Sequence, residues 1–314
     1  MTPIILLDTL LAIILLVLAV VALHSENLRQ SIFVFIVFGL VTALVWARLG
    51  APDVALAEAA IGSGIAGALL LAALRDRQPG CEEHIEPLPS WQVLTVTYLV
   101  IGVGLTASWA FLDAQASRSG PAIGEMVQAE LAHSGVSNPV TAVLLNFRAY
   151  DTLLELAVLF AALIGVMALG PERSAPQAAG PLVSHFVAWL TPLLILAAGY
   201  LLWVGAHAPG GAFQAGALLA AGGIIVRLSG KSGIFPKGAW LRVLAASGYG
   251  VFLFVGLAVM AGDNAFLQYP SDWAGSLILL IEIFATLSIA ASLLLVYLGG
   301  YPNAWMEDKE SQHA

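Results

Sequence analysis

The sequence predicts an all-α integral membrane protein of about nine transmembrane helices, with the N-terminus outside and the C-terminus inside. Three observations carry this expectation. Hydrophobic residues make up 60% of the 314 and charged residues only 10%, whereas a soluble domain carries about a quarter charged. Apolar stretches of about 20 residues recur along the whole chain, each long enough to cross a bilayer as a helix with its backbone polar groups satisfied internally. The cationic residues are also unevenly distributed between alternate connections. Arg29, Arg75, Arg77, Arg173, Arg227, Lys231, Lys237, Arg242 and Lys309 fall on one side, and only Arg48, Arg118 and Arg148 on the other. The richer side is expected to be cytoplasmic.

The expected spans are 3–23, 29–47, 54–74, 92–112, 150–169, 184–205, 212–228, 239–261 and 275–297, the seventh being the shortest. The start, MTPIILLDTLL, lacks a basic region and an obvious cleavage site, so the first span is expected to be a retained helix. Residues 1–76 form a three-span block. It ends in a polar cytoplasmic loop, 77–90, which holds Cys81. Residues 91–170 form a two-span block with a long outside segment. There GEMVQAELAHSG is expected to make a short amphipathic surface helix, and NPVTAVLLNF to lie along the membrane or dip into it. PERSAPQAAGP (171–181) reads as a linker. Residues 181–300 form a four-span block, and 301–314 a polar tail.

Composition excludes several function classes. A net charge of −8 with no basic patch argues against a nucleic-acid partner. A single cysteine cannot build a disulfide framework or a Cys-rich metal site, and the six histidines lack metal-ligand spacing. Gly62, Gly64 and Gly67 match a dinucleotide-binding pattern, but inside an apolar span they read as close helix packing. HAPGGAFQAG (207–216) lacks the Lys-Ser/Thr ending of a phosphate loop. Its Pro209, Gly210 and Gly211 make a tight turn, beside which His207 is a weak proton-relay candidate. No cofactor is expected.

The informative residues are carboxylates within the spans, since a charge in hydrocarbon is costly and normally marks ion or proton handling. In GAPDVALAEAAIGSG (50–64), Pro52 opens a helix and Asp53 suits its positive end, where a solvated charge is the favoured reading. Glu58 lies about 8 Å further in, roughly 140° around from Asp53, so the two face different neighbours. In NFRAYDTLLELAVL (146–159), Arg148 and Asp151 are spaced to pair at the membrane surface. Glu155, one turn deeper, is either a titrating group or a polar stitch to another helix. In LILLIEIFATL (277–287), Glu282 lies about 10 Å from the outer end of its helix. Once ionised it needs a partner, water or a cation, and otherwise it becomes neutral. Asp8 is expected at the interface.

These segments resemble a known family. GAPDVALAEAAIGSG and NFRAYDTLLELAVLFAALIGV resemble consecutive segments near the C-terminal end of the large A subunit of Mrp-type multisubunit Na+/H+ antiporters. Those segments also occur as the small, separate D and E subunits of membrane-bound hydrogenases. HAPGGAFQAGALLAA, preceded by TPLLILAAGYLLWVG and followed by LILLIEIF, resembles the antiporter's B subunit, with Ala212 in place of the last Gly of its Pro-Gly-Gly-Gly-Phe turn. The chain therefore resembles a fusion of the two. The resemblance implies a non-enzymatic, multi-pass subunit of the cell (inner) membrane that exchanges Na+ or another monovalent cation for H+. It also implies partner subunits, including a large antiporter-like one. By the same resemblance Asp53, Glu58, Arg148, Asp151, Glu155 and Glu282 border an ion path, and Na+ binds near the three glutamates. The alternatives are the membrane arm of a redox-driven pump and a non-conducting scaffold.

Overall fold

The computed structural model describes residues 3–75, 90–116, 122–169, 180–229, 238–262 and 264–300, and these are helices and short connections without a strand. The loop bearing Cys81, the linker at 171–179, Asp263 and the polar tail lie outside the described residues. Among the described residues eight helices are long and apolar enough to cross a membrane, and a shorter apolar helix of 17 residues, Ala212–Leu228, accompanies them. The nine expected spans thus each coincide with a helix. The shortest expected span is the one below full crossing length.

α1 (Pro3–His24) and α2 (Leu28–Arg48) form an antiparallel pair. The turn between them is set by Asn27, whose side-chain oxygen accepts from the Arg29 N–H at 2.9 Å and so caps α2. Asp8 of α1 meets Arg48 of α2 at 3.1 Å, both side chains partly exposed. Gly50, at φ +78°, ends α2, and Pro52 starts α3 (Pro52–Ala57) at a position where its missing N–H costs nothing. The same rod continues as a π-helical turn over Glu58–Ile65 and then α4 (Ala66–Arg75). Small residues allow α2 close to it: a Cβ at Gly39 would stand 2.9 Å from Ser63 Cβ.

α5 (Ser90–Ala116) and nearly all of α6 (Ile123–Glu130) belong to a unit of their own, residues 77–129. α5 is apolar on every side, and its described side chains, Gln92 apart, are exposed. Thr95 and Thr106 spend their hydroxyls on the carbonyls of Trp91 and Gly102, which suits a helix whose surroundings offer no water. GEMVQAELAHSG folds as α6 followed by a 3₁₀ turn at Leu131–His133.

The remaining helices join the first block in one unit. α7 (Pro139–Ala142) and a π-turn (Val143–Phe147) lead into α8 (Ala149–Ala168), with the Thr152 hydroxyl bridging back to the Leu144 carbonyl at 2.6 Å. α9 (Pro181–Val204), α10 (Ala212–Leu228), α11 (Gly238–Met260) and α12 (Ala274–Tyr297) follow. α12 is the axis of the bundle and packs on α8, α10 and α11. Its neighbours approach through glycine: Gly216 of α10 faces Ile289, and Gly248 of α11 faces Ser288, whose hydroxyl donates to the Ala245 carbonyl. Small residues at such crossings are how apolar helices gain packing where lipid gives no hydrophobic drive. Ile65 of the π-turn joins Ala217 and Ala220 of α10 in a small apolar cluster that ties the first block to the last.

Candidate functional site

The turn between α9 and α10 is the junction on which three of the residues selected from the sequence, Asp53, His207 and Glu282, bear. Its backbone folds back on α9, with the N–H groups of Gly205 and Gly211 both donating to the Leu201 carbonyl, at 3.2 and 2.9 Å. No side chain fits there. A Cβ at Gly210 would press on the Leu201 carbonyl oxygen at 2.5 Å, and one at Gly205 on the Gly211 backbone at 2.7 Å. Gly211 itself has φ +112° and ψ −172°, a region open essentially only to glycine.

The outer side of the turn is clamped by residues 137–141. Asn138, buried, donates through its side-chain amide to the carbonyls of Gly205 and Ala208 at 3.1 and 3.0 Å, while its oxygen caps α7 through the Val140 N–H. The Thr141 hydroxyl donates to the Gly205 carbonyl at 2.6 Å. The Ser137 hydroxyl lies 3.0 Å from His207 Nδ1, and the His207 ring stands edge-on to Trp203. His207 is exposed and belongs to this clamp.

On the opposite side Asp53 holds the turn. Its carboxylate accepts from the Gly210 N–H at 3.0 Å, and its backbone carbonyl accepts from the Gln214 side-chain amide at 3.1 Å. The sequence favours a solvated helix-end charge for Asp53, but the structure uses it as a cross-link. A carboxylate at a helix start is well placed to meet an N–H of a neighbouring turn, and it is only half exposed here.

Glu282 reaches the same turn from α12. It is 2% exposed, its Oε1 lies 3.3 Å from where a Cβ of Gly211 would stand, and its Oε2 is buried without a hydrogen-bond partner among the described residues. Thr286, one helical turn further along α12, also carries a buried hydroxyl with no partner there. Asp53 and Glu282 therefore meet at one turn, and the ion pairs at Asp8, Glu130 and Asp151 involve neither of them.

The other two glutamates lie elsewhere. Glu58 is half-buried and folds back over Gly62 of its own π-turn towards Gly39 of α2, where a Cβ at Gly39 would stand 3.2 Å from Oε1. It thus faces a different neighbour from Asp53, as their spacing suggests. Arg148 and Asp151 pair at 2.5 Å at the start of α8, with side chains 71% and 45% exposed. The sequence reading counts Glu155 with the buried glutamates. In this chain it is exposed on α8, because the buried face of that helix is taken by Thr152, Leu153 and Leu156. Gln214, Asn138 and Thr141 were not singled out from the sequence. The only signals available for them were the Asn-Pro helix start at 138–139 and a lone amide in the apolar run AFQAGALLAA. Among the described residues no group of three or more His, Cys, Asp or Glu side chains could hold a metal ion.

Comparison with known proteins bears on both halves of this junction. The MbhD family, the D-type component of MBH, matches residues 13–79, which include Asp53 and Glu58. A domain related to the MnhB subunit of the Na+/H+ antiporter matches residues 182–301, which include the glycine turn and Glu282. None of the curated proteins matches the chain. The fold is similar to that of a chain in the Mrp complex from Dietzia sp. DQ12-45-1b, at TM-score 0.74 and 24% identity over 93% of this chain. It is also similar to a chain of the membrane-bound sulfane sulfur reductase, an archaeal respiratory membrane complex, at TM-score 0.55 and 24% identity over 66% of this chain and 97% of that one. The chain spans about a third (34%) of the length of the Mrp chain it matches. It is a multi-pass membrane protein in which one polypeptide carries a segment that matches the MbhD model and another that matches the MnhB-related domain.

Proposed function

We propose that this chain is a subunit of an Mrp-type multisubunit Na+/H+ antiporter in the cell membrane, contributing membrane carboxylates to its ion path and working with other subunits, including a large antiporter-like one. The observation that carries the reading is Glu282: a carboxyl group deep in the bundle, with one oxygen buried and unpartnered among the described residues, beside the glycine turn. A carboxylate in such a place is stable only with a proton, a cation or water at its oxygens, and exchanging one for another is the elementary step of antiport. Glu58 and Glu155 are the further candidates on the path. Glu155 is exposed in this chain and, on this reading, is covered by another subunit.

The reading is tested by expressing the chain with its native partner subunits and measuring Na+-driven dissipation of a proton gradient in inverted membrane vesicles. Glu282→Gln keeps shape and hydrogen-bonding capacity but removes the exchangeable charge. Exchange should fall at least tenfold while the subunits still co-purify, the scale of losing one charge-assisted contact. Full exchange by assembled Glu282→Gln, Glu58→Gln and Glu155→Gln complexes would leave only a scaffolding role. Co-purification with iron–sulfur redox subunits would instead place the chain in a respiratory arm.

A further inference from the structure

Gln214 and Glu282 both face the position beside Gly211. A Cβ at Gly211 would have the Glu282 Oε1 at 3.3 Å and the Gln214 Oε1 at 3.8 Å, and nothing else within 4 Å apart from its chain neighbours. The orientation of the Gln214 amide is not arbitrary. Its nitrogen donates to the Asp53 carbonyl at 3.1 Å, and a carbonyl can only accept, so the oxygen is the end turned towards Gly211. The residue is 8% exposed, so it sits within the bundle.

Two oxygens thus converge on a glycine, and in their ordinary states both are acceptors. Two N–H groups of the turn itself are committed elsewhere. That of Gly210 goes to the Asp53 carboxylate, and that of Gly211 to the Leu201 carbonyl. The remaining Glu282 oxygen is buried without a partner among the described residues. Facing acceptors repel unless a proton or a cation lies between them. The charge of the two ligands limits which cation they hold: Glu282 supplies one negative charge and Gln214 none, so a divalent ion held by this pair would leave a net charge buried.

We infer that Gln214 Oε1 and Glu282 form the seat of one monovalent cation at Gly211, where the cation and a proton on Glu282 exclude each other, with Gln214 as the neutral ligand. This rests on the antiporter reading and adds to it a binding partner for Glu282. It also gives glycine at 211 a use beyond backbone geometry, because a methyl group there would stand 3.3 and 3.8 Å from the two ligand oxygens.

Two near-isosteric variants of the assembled complex separate a ligand from a tether. Gln214→Met removes both the oxygen and the N–H to Asp53, whereas Gln214→Glu loses that N–H but keeps an oxygen ligand, now one that can carry a negative charge. Binding is read by infrared difference spectroscopy on the purified complex. The protonated-carboxyl band that is lost on adding Na+ is assigned by its absence in Glu282→Gln. In Gln214→Met the Na+ concentration for half-maximal loss of the band should rise roughly tenfold to a hundredfold, the range for losing one contact to a charge. In Gln214→Glu it should stay at or below the wild-type value. Equal weakening in both variants would make Gln214 a tether to Asp53 and overturn the inference, as would a wild-type complex whose Glu282 band is indifferent to Na+. A complex that shows the Na+-dependent band but exchanges no protons would uphold the seat and count against the antiporter reading.

Discussion

Replacing Gly211 by alanine tests the central turn most directly, and the glycines of this chain provide their own controls. At φ +112° and ψ −172° an L-residue is strained whatever the space, at about 1–3 kcal/mol. The added methyl would also meet Glu282 Oε1 at 3.3 Å, a contact that is tight and polar. The turn should therefore be destabilised by about 2–3 kcal/mol, or roughly a thirtyfold to hundredfold loss of its native conformation. Gly50→Ala isolates the backbone contribution, because φ there is +78° and nothing lies within 4 Å of the new methyl. Gly250→Ala, in the middle of α11 with open space around it, should be neutral or stabilising by up to about 1 kcal/mol through helix propensity. The assay is thermal unfolding of the detergent-solubilised assembly, alongside Na+-driven proton exchange. The expected order of stability is Gly250→Ala, then Gly50→Ala, then Gly211→Ala, with exchange lost only in the last. A Gly211→Ala protein as stable and active as Gly250→Ala would refute the geometry assigned to the turn.

Two further outcomes follow from the same contacts. Asn138→Ala removes two hydrogen bonds to the carbonyls of Gly205 and Ala208 and the cap on the Val140 N–H. The change should cost about 2–4 kcal/mol and be seen as faster amide hydrogen exchange across 205–211, and unchanged exchange there would show that the clamp is dispensable. Tyr269, in the connection between α11 and α12, is buried with a hydroxyl that lacks a partner among the described residues, so Tyr269→Phe should be as stable as the parent or more so. Burial raises the Tyr269 pKa above its unfolded value, so its contribution is complete below about pH 10 and is lost at higher pH. Melting curves above about pH 10 should therefore fall less steeply for the phenylalanine variant, and equal slopes would contradict the burial of this group.

The sequence reading succeeded where one physical cause dominates. Apolar runs bounded by Gly, Pro and charge place the helix ends closely, as with 212–228, and the Pro-Gly-Gly run marks the tight turn. It failed where the outcome depends on what packs alongside. The π-turn at Glu58–Ile65 has no local signature, since its small residues suit an α-helix equally, and its wider winding accompanies the approach of Gly39 to Ser63. The exposure of Glu155 was illegible because buried and outward-facing positions of a membrane helix are both apolar, so periodicity carries little information. The bond from Gly210 to Asp53 joins residues 157 apart in sequence, and that from Gln214 to Asp53 joins residues 161 apart. A motif search finds each end of such contacts but not the pairing. The same limit applies to α8, which belongs by sequence to a middle block and packs on α11 and α12.

The architecture of the junction explains why two segments matched by separate families can work as one structure. What joins 13–79 to 182–301 at the turn is chiefly backbone-directed: an Asp53 oxygen on a glycine N–H, and a glutamine amide on the Asp53 carbonyl. The apolar contribution is a small cluster of Ile65, Ala217 and Ala220, with Ile61, Leu69 and Leu293 packed against it. Such a joint depends on very few side chains, so the surrounding helices can vary widely while the turn keeps its path. It also leaves the turn with no free N–H at Gly210 or Gly211 to offer Glu282. The bonds that hold the two segments together are thus the ones that leave a buried carboxyl group dependent on something other than the turn. The Asp53 cross-link and the surroundings of Glu282 are therefore coupled at this point: a change that loosens the cross-link frees the Gly210 N–H at the turn Glu282 adjoins, and so alters its environment without touching α12.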